Sequence, residues 1–339
     1  KVTVSVLYWQ PPPIMLVTFV RHSESVNNTL AAQLGTNGVK DGPLRILFET
    51  KRHSDAPLTP RGVEQAERVG ERVAEENGED ATLVICSYFH RALRTAAAIE
   101  GAVKKRHPES KLKVLVDRDF HEGGGMYRAV LKKKTTSTDA SSGAEDERDA
   151  ANEEEGSGAS ADGTSSSELD EGAVERIGFP GRTVADVSAE FPTFTFVPGQ
   201  GCEDGWWKGP TKESIEQVRV RALFLWHRLA DIARAGTHKS IVVVTHGHLY
   251  ASMMKAAIDR GYFSKEAKTP ANESLQNTGV TRVFVKPKTE DPTGAASSLA
   301  DFASHANRDA PPATFELLEE NCGKHVASIG ALSASNLQL

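Results

Sequence analysis

The chain has 339 residues, 39% hydrophobic and 25% charged, which gives ample apolar mass for a core and excludes a wholly disordered polymer. Its longest apolar runs, around Ile14–Val20 and Ile241–Val244, fall far short of the roughly 18 residues a membrane-spanning helix needs, so no membrane partner is expected. The net charge of −6 excludes a strongly basic nucleic-acid binder, and it is unevenly spread: Leu131–Glu175 holds 13 Asp and Glu against 4 Lys and Arg, leaving the remainder at +3, mildly suited to an anionic ligand.

Apolar runs alternate with helix-period segments, the pattern of an α/β sheet with mostly parallel strands. Ile14–Val20 reads as a buried strand. Thr59-Pro60 opens a helix with an N-cap and a first-turn proline, Val63, Ala66, Val69 and Val73 forming its apolar face and Gly78 its stop. Thr82–Cys86 is a second strand, followed by a helix through Leu93, Ala96 and Val103, and Leu112–Val116 is a third strand. A long amphipathic helix follows Thr211, with Ile215, Val218, Ala222, Leu225, Leu229 and Ile232 on one face and Gly236 as terminator. Ile241–Thr245 is a fourth strand leading into a helix over about Leu249–Asp259, and Val280–Val285 and Phe315–Leu318 suggest two more strands.

Leu131–Glu175 is built from Ser, Gly, Ala, Asp and Glu with almost no large apolar side chain, so burial cannot offset the entropy of ordering it. It reads as a disordered acidic insertion, because strands continue on both sides. The expected organisation is one domain over residues 14–329, interrupted at 131–175 and by a flexible loop at 287–312, with tails at 1–13 and 330–339. Three widely spaced cysteines, Cys86, Cys202 and Cys322, form no disulfide or zinc pattern and suit a reducing compartment. With no secretory h-region near the N-terminus, a cytoplasmic location is expected.

In open α/β sheets the C-terminal strand edge holds the ligand. The first strand ends in Arg21-His22-Ser23-Glu24, the second in Ser87 with Arg91 at the mouth of the next helix. The third leads to His121-Glu122-Gly123-Gly124-Gly125 and the fourth to Thr245-His246-Gly247-His248. Singly, each has a structural reading. Arg52-His53 and Arg106-His107 show how cheap the Arg-His dipeptide is, but only Arg21-His22 ends a buried strand. Residues 123–125 are no Walker loop, since no Gly-Lys-Ser/Thr follows, and no cysteine or second histidine pair supports a metal at His246 and His248. Together the set suits phosphoryl transfer: a neutral imidazole to attack phosphorus, guanidinium forks to hold a dianion, and a carboxylic acid for the departing alkoxide.

Four stretches in this order resemble the histidine phosphatase, or phosphoglycerate mutase-like, superfamily. They are Val17-Thr18-Phe19-Val20-Arg21-His22-Ser23-Glu24-Ser25, Pro57-Leu58-Thr59-Pro60-Arg61-Gly62, Ser87-Tyr88-Phe89-His90-Arg91-Ala92-Leu93-Arg94-Thr95-Ala96 and Val242-Val243-Val244-Thr245-His246-Gly247-His248, with Asn277-Thr278-Gly279-Val280-Thr281 as a final strand signal. The resemblance implies a three-layer α/β/α sandwich with a mostly parallel central sheet. It also implies a metal-independent phosphomonoesterase that works through a phosphohistidine and needs no cofactor. His22 would be the nucleophile; Arg21, Arg91 and His246 the phosphate pocket, with Asn28 and the Gly247 backbone nearby; Glu122 the acid, with Asp117 and Asp119 as competitors. Partners would be a small phosphorylated substrate or a phosphoprotein. Ser23 stands where the family usually has Gly, and no mutase-type segment surrounds Glu122. A catalytically silent phospho-ligand scaffold and a phosphoglycerate mutase-type phosphotransferase are the rival readings. Trp206 and Trp207 serve either as a substrate entrance or as core.

Overall fold

In a computed structural model of the chain, the described residues are 13–37, 42–132, 174–263, 275–290, 292–294 and 296–329. Seven strands form the central sheet: β1 (Met15–Arg21), β2 (Ala81–Cys86), β3 (Lys113–Val116), β6 (Thr195–Phe196), β7 (Ser240–Thr245), β8 (Val280–Pro287) and β9 (Ala313–Cys322). Their order is β6-β3-β2-β7-β1-β8-β9. The first five in that order are parallel, while β8 and β9 add antiparallel at one edge. The remaining two strands, β4 (Tyr127–Leu131) and β5 (Val174–Gly178), form a separate antiparallel ribbon.

Successive strand side chains point to opposite faces, and here both faces are dry. Met15, Val17, Phe19, Ile241 and Val243 pack into one apolar cluster with helices α6 (Ile215–Ala235) and α7 (Gly247–Asp259). Val20, Val84, Val242 and Val244 pack into another with α3 (Pro60–Glu76) and α4 (His90–Arg106). A sheet with a helical layer on each side follows, in a mixed α/β fold. Among the described residues no helix is long and apolar enough to cross a membrane.

The caps agree with the residue types. Thr59 accepts a hydrogen bond from Gly62 N and precedes Pro60, and Ser214 forms a capping box with Gln217. Gly236 closes α6 in the left-handed region at φ 65°, which a residue with a Cβ adopts at a cost.

Several expectations are corrected. Val63 and Ile215 were placed on apolar faces but are 40% and 81% exposed, because each lies in the first turn of its helix, beyond the layer that covers Val69 and Val218. Two helices, α1 (Val26–Gln33) and α2 (Pro43–Lys51), appear where no pattern was read; α1 buries no residue at all, so it carries no apolar stripe to read. The stretch 287–312 contains α8 (Leu299–Ser304), pinned by the buried Phe302 against Phe224 and His227. Leu131 closes β4 and Val174-Glu175 opens β5, so the acidic insertion begins and ends inside a paired ribbon; its residues 133–173 lie outside the described residues, as do 1–12 and 330–339 of the two tails.

Candidate active site

Because β1, β7, β2 and β3 are parallel, their C-terminal ends share one sheet edge. Register then decides which side chains meet. Arg21 pairs with Thr245, and His22 N continues that ladder to Thr245 O at 2.9 Å, so His22 and His246 leave neighbouring strands side by side. Their rings lie 5.2 Å apart. Cys86 pairs with Val244, which sets Ser87 beside Thr245 and brings its Oγ within 2.8 Å of His246 Nε2.

His22 is buried, and its Nδ1 lies 2.8 Å from Ser23 O. A carbonyl can only accept, so Nδ1 carries the proton and Nε2 the lone pair. That lone pair accepts Arg91 Nε–H at 3.2 Å. Burial and the charges of Arg91 and Arg21 hold His22 well below an ordinary imidazole. His246 is shifted down in the same way by burial and by Arg91, and it lies edge-on to Phe89. Arg91 stacks over the Phe89 ring, and burial pushes it down to about 10 against the opposing pull of Glu122 and Asp55. Arg21 donates through Nη1 to Leu275 O and feels Glu122 as well.

The backbone behind His22 is fixed from two sides. Asn277 Nδ2 donates to His22 O at 3.1 Å and to Asn28 Oδ1 at 3.3 Å, while Arg21 N donates to Gly279 O and Thr278 N to Arg21 O. On the other side, Glu24 accepts from Thr59 Oγ1 at 2.7 Å and its carbonyl accepts Thr59 N. A Cβ at Gly62 would sit 2.0 Å from Glu24 O, so only glycine lets α3 approach this closely. Ser23 N donates to Thr95 Oγ1 at 3.1 Å, and the Ser23 side-chain Oγ lies 3.4 Å from the same hydroxyl.

Glu122 reaches the same edge. Its Oε1 accepts Gly123 N at 2.8 Å and Leu249 N at 3.0 Å, the latter from the first turn of α7 that Gly247 begins. Asp117 and Asp119 are committed elsewhere: Asp117 pairs with Arg228 at 2.5 Å, and both accept from Gln200. The structure therefore brings Arg21, His22, Arg91, Glu122 and His246 together. Asn28 stands next to them but spends its Oδ1 on Ser25 and Asn277. His248 lies over Gly123, where an added Cβ would be 2.1 Å from its Nδ1. Among the described residues no three His, Cys, Asp or Glu side chains gather as a metal site. Trp206 is core, stacked on Tyr88 and edge-on to Phe89, whereas Trp207 packs against His121 and the Gly125 backbone.

One functional element was missed from sequence. Arg221 of α6, fully buried, donates Nε and Nη2 to the two carboxylate oxygens of Glu213 at 2.9 and 2.7 Å, and Nη1 to Asp119 O and His121 O at 2.7 and 3.0 Å. Glu213 also accepts Gly124 N at 3.3 Å, and Arg221 and His121 hold its carboxyl far below the usual range. The pair grips the loop carrying Glu122 from both sides. The readable signal was a charge set between Val218, Ala222 and Leu225 on an otherwise apolar face.

A sequence model described as the histidine phosphatase superfamily (branch 1) matches residues 17–162 and 164–291. No curated protein matches the chain. Among solved structures, a mycobacterial glucosyl-3-phosphoglycerate phosphatase aligns at 16% identity over 91% of this chain and 100% of its own, with a TM-score of 0.41. A phosphoglycerate mutase from Bacillus anthracis aligns at 16% identity over 93% and 96%, with a TM-score of 0.42.

Proposed function

The chain belongs to the histidine phosphatase superfamily, whose members are phosphoryl-transfer enzymes, and from that premise we propose that it hydrolyses phosphomonoesters through a phosphohistidine at His22, without a metal. The observation that carries the reading is the state of His22: Nδ1 is tied to Ser23 O, and Nε2, buried and unprotonated, faces the Arg91 guanidinium. A nucleophile in that state needs no base to activate it.

In the proposed reaction Arg91 and Arg21 take the phosphate oxygens, and Arg91 exchanges its hydrogen bond to Nε2 for one to phosphate. Two buried polar atoms of this cluster, Arg91 Nη1 and His246 Nδ1, have no hydrogen-bond partner among the described residues. Leaving such atoms unmet costs about 1–3 kcal/mol each, and phosphate oxygens would relieve that cost. The Nε2–P bond forms as the P–O bond to the alcohol breaks, and Glu122 gives its proton to the departing oxygen. Water then attacks phosphorus, its proton passes to Glu122, and the N–P bond breaks to free His22 and inorganic phosphate. Oε1 of Glu122 is held by two backbone N–H groups, which leaves Oε2 as the oxygen to exchange a proton with the leaving group. Positioning and charge supply most of the acceleration in such transfers.

The test is release of inorganic phosphate from a panel of phosphomonoesters, in excess EDTA, with labelling of the protein. Hydrolysis with an acid-labile, alkali-stable label that disappears in His22→Ala is the expected result. Phosphate moved between two positions of one acid without release would indicate a mutase, and binding without turnover a scaffold. Label persisting on another residue in His22→Ala, or turnover lost in EDTA and restored by metal, would overturn the mechanism.

A further inference from the structure

Beside the phosphate pocket lies a second concentration of positive charge. Glu49 of α2 is 1% exposed, and four cations crowd around it: Arg45, Arg52, Arg176 and Lys212. Arg45 and Arg176 take its carboxylate at 2.8 and 3.2 Å, and the Tyr127 hydroxyl lies 3.1 and 3.0 Å from its two oxygens. Glu49 is thus fully used. Arg52 and Lys212 lie on the Tyr127 ring, at 4.5 and 5.5 Å from its centroid, and neither comes within ion-pair distance of a carboxylate among the described residues. Both are half-buried, so water answers them only in part.

Two contacts attach this cluster to the candidate active site. The Lys212 stem packs at Gly124, two residues from Glu122, where a Cβ would stand 3.1 Å from its Cε. The like charge of Arg52 adds to the downward push on Arg91. A cleft of about 580 Å³ opens on the Lys212 side of the cluster; Lys132, Arg176 and Lys212 line it, against the single carboxylate of Glu175. Four cations around one carboxylate repel one another, and partial burial leaves that repulsion only partly screened. A bound anion lowers the excess positive charge.

We propose that Arg52 and Lys212, both in contact with the Tyr127 ring, form a second anion subsite next to the phosphate pocket. The substrate is then a small phosphomonoester carrying a second anionic group, a further phosphate or a carboxylate. The substrate class rests on the phosphatase reading above; the subsite itself rests on the geometry of the cluster. The Lys212 stem at Gly124, two residues from Glu122, ties this subsite to the loop that carries the proposed acid.

Binding is measured by calorimetry on the His22→Ala protein, which cannot turn its ligand over. Two matched pairs are compared: phosphoglycerate with glycerol phosphate, which differ by a carboxylate, and a glucose bisphosphate with the corresponding glucose monophosphate. At least one doubly anionic ligand is expected to bind about tenfold or more tightly than its partner, the size of one charge-assisted contact. That ratio should fall toward one in Lys212→Met and in Arg52→Gln, survive in Lys212→Arg, and shrink as salt is raised. Which pair shows the gain separates a carboxylate from a phosphate. A ratio near one for both pairs, or a preference untouched by both neutral substitutions, overturns the subsite. Phosphate release by the unmutated protein is read separately. Turnover of nitrophenyl phosphate with no binding preference sinks the subsite alone, and preference without turnover of any ester sinks the phosphatase reading alone.

Discussion

Burial and two guanidinium groups depress His22 far enough to change both its chemistry and its effect on stability. An unfolded imidazole titrates near about 6.5, whereas His22 and His246 stay neutral in the folded protein well below that pH. Between the folded and unfolded values the unfolded chain binds more protons, so stability falls as pH falls through that window. Phosphoenzyme formation from nitrophenyl phosphate should therefore hold steady from about pH 7 to about pH 5, while the melting temperature drops over the same range. His22→Ala should flatten part of that drop; an unchanged slope in pH-resolved melts would show that His22 is protonated normally. At Glu122 the leaving group decides the outcome. Protonating an alkoxide is worth roughly 10²–10⁴-fold, while a nitrophenolate needs little help. Glu122→Gln should cut turnover of alkyl esters by that range and of nitrophenyl phosphate far less, with label still entering His22. Equal losses on both esters would remove Glu122 as the acid.

At the level of elements, the Glu122 loop owes its position to α6. Removing one partner of a buried charge pair leaves the other uncompensated, at about 3–5 kcal/mol. Arg221→Met, which keeps volume but deletes all donors, should lower stability by about that much and strand Glu213, Asp119 O and His121 O. If the pair positions the acid, the surviving folded enzyme should lose more on alkyl esters than on nitrophenyl phosphate, as in Glu122→Gln. Arg221→Met combined with Glu213→Gln should cost less stability than the sum of the two, measured by denaturant unfolding. A uniform loss on all esters would make the pair structural only. This element also marks where the sequence stopped being readable. Runs buried on both faces, such as Ile241–Val244, announce a strand and hence the polar residues at its end, which is why His22 and His246 were legible. A pattern-based reading discounts a charge inside an apolar face, as at Arg221, and it passed over Arg52 because Arg52-His53 lies in a polar segment. Helix α1 shows the same limit, since nothing on it is buried.

The described residues divide into a sheet core that fixes the candidate active site and additions packed beside it. Strand pairing makes one addition separable. Leu131 and Val174 are direct cross-strand partners at the end of the β4–β5 ribbon, so the chain leaves and returns at a single ladder position. A two-residue turn is the shortest connection for such a pair, and Asn-Gly adopts the twist it requires. The 42 residues from 132 to 173 hold 12 Asp and Glu against 4 Lys and Arg and almost no large apolar side chain. They offer little burial to set against their ordering entropy, and closing a shorter loop costs less, by roughly 0.6 kcal/mol per halving of length. Replacing residues 132–173 with Asn-Gly should therefore leave the melting temperature equal or slightly higher and keep turnover of nitrophenyl phosphate. The shortened chain loses Lys132 from the cleft but keeps Arg52 and Lys212, which lie on α2's C-terminal flank and ahead of α6, so it should keep its preference for doubly anionic esters. A melting temperature lowered by several degrees would show that the acidic segment packs on the fold. Turnover lost at an unchanged melting temperature would show that it contributes to the site.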